Sequence, residues 1–194
     1  AGACSPDDFK RIWAWTQDAL WRRGVHNLIW VYSPAKPDRD YQAAFVTRYP
    51  GGSAIDVIAF DYYGADDISR GLASCCKQTA EFAAQEGKAT AIAEFGMVGG
   101  FAGKGRYYRV SPRWFIDSFL HPVINTPACR RISWALTWTN AGPDKYYIPL
   151  ENQDAHPGFM ELFRSGTAVF AGSGLVELGI TSELLDPAPE PHAP

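Results

Sequence analysis

Side chains that could do chemistry lie at the ends of apolar runs in this sequence. Glu94 ends the run 88–94, which lies between Gly87 and Gly96 and has no helical polar stripe, a pattern that predicts a buried strand. A carboxylate at the end of such a strand is costly to bury without a partner. In parallel α/β proteins, that end of a strand is where catalytic side chains lie. Glu94 is therefore the first candidate for a catalytic residue.

Three other predicted strands also end in polar or aromatic residues. Their ends are Tyr32-Ser33, Asp61-Tyr62-Tyr63 and Trp138-Thr139-Asn140. Taken singly, each has a structural explanation, because an Asp can cap a turn and a Tyr or Trp can be a packing residue. The ends of parallel strands share one rim of the sheet, so four such ends together indicate a functional site.

These strands alternate with helices along the chain. Ser5, Pro6 and the acids that follow predict a helix start, and Gly24 predicts its end. The predicted strands are 26–32, 55–61, 88–94 and 131–138, and the predicted helices are about 6–23, 40–48, 67–85, 112–123 and 157–163. Alternation of this kind predicts a parallel α/β sheet with crossover helices. A doubly wound sheet and part of a (β/α)8 barrel both fit, since a whole barrel has eight strands and about 250 residues.

Composition and missing motifs exclude several classes of function. The net charge is -3 over 194 residues with no basic patch, which argues against nucleic acid, and no apolar run approaches the ~20 residues of a membrane span. The Gly-rich stretch 96–105 lacks the phosphate-loop pattern, because Gly105 follows Lys104 where Ser or Thr is needed, and no G-x-S-x-G elbow exists. The histidines are far apart and the cysteines lack zinc spacing, so we predict no metal and no cofactor.

After these exclusions, the features left to explain are a carboxylate at a strand end, its aromatic neighbours and the lack of a nucleotide-binding loop. Aromatic residues make up 14% of the chain, with seven Trp and nine Tyr. Their flat faces can stack on sugar rings, while a carboxylate attacks or assists the anomeric carbon. The pattern is typical of glycoside hydrolysis.

Four stretches carry a closer likeness to a known family. They are Asn27-Leu-Ile-Trp-Val-Tyr-Ser-Pro34, Arg48-Tyr-Pro-Gly51 leading into Ile55-Asp-Val-Ile-Ala-Phe-Asp-Tyr-Tyr63, Ala91-Ile-Ala-Glu-Phe-Gly96, and Ser133-Trp-Ala-Leu-Thr-Trp-Thr-Asn140. In this order and spacing, the chain resembles the C-terminal half of glycoside hydrolase family 26, the β-mannanase family. The resemblance implies an α/β fold whose parallel (β/α) units are strands 5–8 of a (β/α)8 TIM barrel. It also implies a retaining, endo-acting hydrolase of β-1,4-mannosidic bonds in mannans.

The resemblance assigns roles to the residues at the strand ends. By motif, Glu94 would be the nucleophile, Tyr63 would hydrogen-bond it, and Asp61 would lie in the same catalytic group. Substrate-binding roles would fall to Trp138 as a stacking platform, with Tyr32 and Asn140. The family's acid/base, a Glu in a His-Glu segment followed by Trp-Trp, has no match in this chain. A retaining enzyme needs two carboxyl groups about 5–5.5 Å apart, so the activity of the isolated chain is left open.

The same resemblance sets the expected organisation and partners. We predict that residues 1–165 are the C-terminal part of a catalytic domain and that the Gly-, Ala- and Pro-rich residues 166–194 are a flexible tail or linker. The expected substrate is β-mannan or a related plant polysaccharide, and the complete protein is expected to be secreted and monomeric. Adjacent Cys75 and Cys76 cannot easily bond to each other, and either could pair with Cys4 or Cys129.

Three alternatives remain open from the sequence. The first is a β-1,3-1,4-glucanase or a β-1,3-xylanase of the same fold. The second is a non-catalytic carbohydrate-binding remnant. The third is a complete, doubly wound α/β protein of other function.

Overall fold

The computed structural model of the chain describes residues 4–37, 45–101, 110–141 and 146–170. In these residues the predicted order of a helix followed by strands and helices is confirmed. The strands are β1 (Val31–Tyr32), β2 (Val57–Gly64), β3 (Ala89–Met97) and β4 (Ile132–Thr137). The α-helices are α1 (Pro6–Trp21), α2 (Ser69–Gln85), α3 (His121–Asn125) and α4 (His156–Arg164). Short 3-10 turns cover Val46–Arg48, Gly52–Ala54 and Pro127–Arg131, and a π-helical stretch covers Phe115–Leu120.

The four strands form one parallel sheet in the order β1-β2-β3-β4. The first strand is shorter than predicted, because Val31 is paired with Val57, the first residue of β2. Residues before Val31 therefore run beyond the start of their neighbour, where the chain forms the Gly52–Ala54 turn instead. Strand assignment needs a paired neighbour, which the apolar pattern of one segment cannot supply.

The structure corrects one further prediction and tests another only in part. The helix predicted over 112–123 divides into the π-helical stretch and α3, and Pro122 at this junction has no N–H to donate to the preceding turn. Of the short helix predicted over 40–48, only the turn Val46–Arg48 can be described, since 38–44 lie outside the described residues.

The two faces of the sheet differ in the size of their side chains. The helix-covered face carries large residues such as Ile58, Phe60 and Phe95, which belong to the main hydrophobic core. The opposite face carries a smaller cluster, Val57, Ala59 and Ala91, with Val31, Ala93 and Trp134 against it. Leu136, two residues after Trp134, is 54% exposed. Within the described residues, nothing covers this second face around Leu136, near the C-terminal end of β4.

One disulfide ties the helical layer together. Cys76 of α2 bonds to Cys129 in the turn before β4, across 53 residues of sequence. Cys75 is buried and donates to the carbonyl of Pro37, and Cys4 is free and exposed. Of the pairings that the sequence left open, the structure selects Cys76–Cys129.

The C-terminal end of the described chain packs on α4. Phe170 lies 5.9 Å from the ring of Phe159 and 5.0 Å from that of Phe163, measured between centroids. The domain boundary at 165 stays a prediction, with 171–194 outside the described residues. Across the described part of the chain, no helix has the length and apolar character needed to cross a membrane.

Candidate active site

The candidate catalytic carboxylates lie side by side at the C-terminal ends of two central strands. Asp61 of β2 is the register partner of Glu94 of β3, and Tyr63 is the partner of Gly96. Because the strands are parallel, these side chains share one rim of the sheet, as the sequence predicts.

A β-bulge decides the direction in which Glu94 points. Between the pairs Ala59–Ala91 and Asp61–Glu94, β2 contributes one residue and β3 contributes two, which shifts the register. The extra residue is Ala93, which packs with the small cluster of Ala59 and Ala91. Without the bulge, strict alternation along β3 would point the side chain of Glu94 towards the helices. The bulge keeps the side chain of Glu94 on the same face as that of Asp61. Bulges often redirect side chains in this way near functional sites.

Tyr63 holds the carboxylate of Glu94. Its hydroxyl donates a hydrogen bond of 2.9 Å to Oε2 of Glu94, and both side chains are half-buried. Burial, with the hydrogen bond and negative charge of Glu94, raises the pKa of Tyr63 well above its usual range. The phenol therefore stays protonated and remains a donor at any ordinary working pH.

Asp61 is held on its other side by the first strand. The hydroxyl of Ser33 donates 2.9 Å to Oδ1 of Asp61. Burial raises the pKa of the Asp61 carboxyl, the Ser33 hydrogen bond opposes this, and the neighbouring charge of Glu94 adds to the rise. The rim thus carries two hydrogen-bonded pairs, Ser33–Asp61 and Tyr63–Glu94, which lie next to each other because Asp61 and Glu94 are register partners.

The three predicted substrate-binding residues have different surroundings. Trp138 directly follows β4 and is 45% exposed, so its indole is available for contact. Asn140 has its amide engaged by the chain itself: Oδ1 accepts from the backbone N–H groups of Tyr147 and Ile148, each at 2.9 Å, and Nδ2 donates to the carbonyl of Ile148 at 3.0 Å. Asn140 thus holds the loop that follows it, and its contact with substrate stays a prediction.

Tyr32 is placed in the core instead of on the rim. Its side chain is 1% exposed, and its hydroxyl donates 2.5 Å to the carbonyl of Phe45. Its ring makes edge contacts with Phe9, Phe45 and Tyr49. Tyr32 and Ser33 are adjacent, so the alternating direction of a strand sends one to the core and the other to Asp61.

Nothing in the described part of the chain resembles a metal site. No group of three His, Cys, Asp or Glu side chains is close enough there to hold an ion. The rim presents two carboxylates, the phenol of Tyr63 and the exposed indole of Trp138.

Residues 1–100 match the sequence model of glycosyl hydrolase family 26. The chain belongs to glycosyl hydrolase family 26. Among similar curated proteins, a mannan endo-1,4-beta-mannosidase of Bifidobacterium adolescentis is 29% identical over 103 residues, 49% of this chain and 10% of that protein. A mannan endo-1,4-beta-mannosidase of Bacillus subtilis is 39% identical over 61 residues, 31% of this chain and 15% of that protein.

Solved structures of the family have the same arrangement of strands and helices. A GH26 beta-mannanase from Bacteroides ovatus matches with a TM-score of 0.72 and 26% identity over 87% of this chain and 46% of that one. A Cellulomonas fimi endo-beta-1,4-mannanase double mutant matches with a TM-score of 0.76 and 26% identity over 87% of this chain and 38% of that one. This family 26 chain thus spans less than half of its relatives, and its four parallel strands correspond to half of a TIM barrel.

Two contacts of this candidate site, one polar and one between aromatic rings, are not predicted by the sequence. Ser33 was identified only as part of a strand end, without its bond to Asp61. Tyr147 has no role predicted by the sequence, and its ring lies 5.8 Å from that of Tyr63. It follows β4 in a long connection with no pattern of its own, so only its place in the folded chain could have drawn attention to it.

Proposed function

We propose that this chain carries the nucleophile half of the active site of a retaining endo-β-1,4-mannanase, with Glu94 as nucleophile. The observation that carries the proposal is the 2.9 Å hydrogen bond from Tyr63 to Glu94 at the C-terminal rim of a parallel sheet. Membership of family 26 and the mannan endo-1,4-beta-mannosidases among its relatives support mannan as the substrate.

In the proposed reaction, a carboxylate oxygen of Glu94 bonds to the anomeric carbon. The bond from that carbon to the glycosidic oxygen breaks, and the leaving oxygen takes a proton from a general acid. Water, deprotonated by the same group, then attacks the anomeric carbon and releases Glu94, so the configuration is retained. Tyr63 fixes one oxygen of Glu94, which leaves the other to attack.

The remaining residues of the rim bind and orient the sugar in this proposal. Asp61 lies beside Glu94 and keeps Oδ2 available to accept from a sugar hydroxyl, since Oδ1 is held by Ser33. Trp138 presents an exposed indole on which a sugar ring can stack. We further propose that the general acid comes from the other four strands of the barrel, since no stretch of this chain matches the family's acid/base segment.

Trapping of the covalent intermediate tests the assignment. The complete protein and its Glu94→Gln variant are incubated with a 2-deoxy-2-fluoro-β-mannosyl fluoride, in which a slow second step preserves the glycosyl-enzyme, and the labelled peptide is mapped by mass spectrometry. Label on Glu94 supports the proposal, and label on any other residue refutes it. Glu81→Gln is the matched control, because Glu81 is an exposed residue of α2.

Polysaccharide assays separate the other readings. Reducing-sugar release is measured on β-1,4-mannan, mixed-linkage β-glucan and β-1,3-xylan, together with retention of the chain on each polymer. Faster turnover of glucan or xylan than of mannan overturns the proposed specificity. Retention on mannan without turnover or labelling favours a non-catalytic binding role for the chain alone.

We also propose that the protein is secreted and works as a monomer. The Cys76–Cys129 disulfide supports an oxidising compartment, where such bonds form and persist. Secretion is tested by fractionating the producing cells and the medium, and the monomer by light scattering of the complete protein.

A further inference from the structure

The backbone of residues 146–148, here called the return segment, is fixed by two parts of the chain. On one side, the amide of Asn140 makes three hydrogen bonds of 2.9–3.0 Å with Tyr147 and Ile148. A side-chain amide that makes hydrogen bonds with three backbone groups at once fixes both the position and the orientation of that stretch of backbone. Asn140 therefore defines where residue 147 lies relative to the end of β4.

On the other side, the return segment meets the turn that follows β3. The N–H of Phe101 donates 2.6 Å to the carbonyl of Tyr146. Gly100 has a φ of +75°, and a Cβ added to it would lie 2.7 Å from that same carbonyl oxygen. The close approach needs a glycine at this position, and it ties the return segment to the strand that carries Glu94.

The fixed segment places the ring of Tyr147 against Tyr63. Their centroids are 5.8 Å apart with an interplanar angle of 79°, an edge-to-face contact. A Cβ added to Gly96 would lie 3.1 Å from both rings. The Tyr63 ring is thus confined by Tyr147 and the Gly96 backbone, with its hydroxyl on Glu94.

We propose that Asn140 and Tyr147 are positioning residues, which act through the ring of Tyr63 to hold the carboxylate of Glu94. The effect of this positioning on catalysis rests on the proposed function, whereas the position of the Tyr63 ring can be measured without turnover. If Tyr147 did not confine it, the half-exposed Tyr63 ring would have other rotamers available, and its hydroxyl would leave Oε2 for part of the time.

The ionisation of Tyr63 reports the positioning directly. The titratable groups that face its hydroxyl and ring are Glu94, Tyr147 and Asp61. Burial is the first cause of its raised pKa, and Tyr147 supplies part of that burial. Loss of the contact should therefore let Tyr63 ionise at lower pH. Its titration is isolated as the ultraviolet difference between each protein and the same protein carrying Tyr63→Phe.

Four variants make the test. We expect Asn140→Ala and Tyr147→Leu to lower the pH midpoint of Tyr63, and Tyr147→Phe to lower it less, because the ring is kept and only the charge interaction with Tyr147 is lost. Asn152→Ala, the same change at an exposed Asn of the following turn, should leave it unchanged. In the complete mannanase, the first two variants should lower kcat by up to about 100-fold, with little change in KM.

The outcomes separate this proposal from the proposed function. An unchanged Tyr63 midpoint in Tyr147→Leu overturns the positioning role, and that variant decides the matter if Asn140→Ala fails to fold by circular dichroism. A lowered midpoint together with label on a residue other than Glu94 supports the positioning and refutes the nucleophile. If the midpoint is lowered and kcat is unchanged, in a protein labelled on Glu94, the claim that this positioning contributes to catalysis is overturned.

Discussion

Replacement of Tyr63 by Phe removes one hydroxyl and leaves the rest of the site in place. The ring keeps its contact with Tyr147 and its fit above Gly96. What is lost is the 2.9 Å hydrogen bond to Glu94. The change therefore isolates the effect of one donor on one carboxylate.

In the proposed reaction, the size of the effect follows from the charge on Glu94 during its two steps. A hydrogen bond to a charged group contributes about 1.5–3 kcal/mol, and each 1.36 kcal/mol in a barrier is tenfold in rate. Since both side chains are half-buried, we take the lower part of that range, about 10–50-fold. The carboxylate loses charge when it attacks and regains charge when it leaves. The donor therefore lowers the barrier of the second step, which starts from the uncharged ester, and does not lower that of the first step, which starts from the full charge.

We expect Tyr63→Phe to lower kcat by about 10–50-fold, with a smaller change in the first step. The assay is stopped-flow release of an aryl leaving group from an aryl β-mannoside by the complete protein. A burst equal to the enzyme concentration, followed by slow turnover, is the expected signature of an accumulated glycosyl-enzyme.

The matched control is Tyr62→Phe. Tyr62 is the next residue, but its hydroxyl lies against Gly71 of α2, away from Glu94. A kcat of Tyr63→Phe equal to that of the wild type would refute the role of this hydrogen bond. A slower first step with no burst would refute the charge argument.

Three further predictions concern stability and pH. Replacing Cys76 and Cys129 together by Ser should lower the free energy of unfolding by about 2–4 kcal/mol, because the disulfide closes a loop of 53 residues. Gly158→Ala should cost about 1–3 kcal/mol, since its Cβ would lie 2.5 Å from a backbone carbonyl oxygen. Asp61→Asn should stabilise the fold at pH 7 and lose that advantage in acid. The raised pKa of Asp61 means that its ionised form opposes folding above the folded-state pKa, and this penalty disappears below the unfolded-state pKa.

Urea unfolding followed by circular dichroism measures all three. Cys4→Ser is the control for the disulfide, because Cys4 is free and exposed, and an equal loss in both proteins would contradict the first prediction. Unchanged stability of Gly158→Ala would mean that α4 can move away from its neighbour. The third prediction would be contradicted if Asp61→Asn were less stable than the wild type at pH 7. It would also be contradicted if its gain in the free energy of unfolding were equal at pH 3 and pH 7.

Most of the secondary structure of this chain could be predicted from local patterns. Alternation of apolar runs with capped helices gives the parallel α/β class, and the strand-end residues give one rim with Glu94, Asp61 and Tyr63 on it. These features depend on side-chain periodicity and on the residues that begin and end helices, which are local properties. The short first strand was not predictable, because its length depends on where β2 begins.

The finer geometry of the site depends on contacts between distant residues. The bulge at Ala93 arises from the register between β2 and β3, and it turns Glu94 to the face of Asp61. The amide of Asn140 holds the return segment, a contact that the sequence does not reveal.

The sequence by itself determined which residue types lie at the rim and that they follow parallel strands. Tertiary structure alone decided that Tyr32 enters the core, that Glu94 points to Tyr63, and that Tyr147 completes the group. The physical reason is that composition and periodicity act within one element. Direction and distance at a site, by contrast, are set by hydrogen bonds and ring contacts between elements that are far apart in the chain.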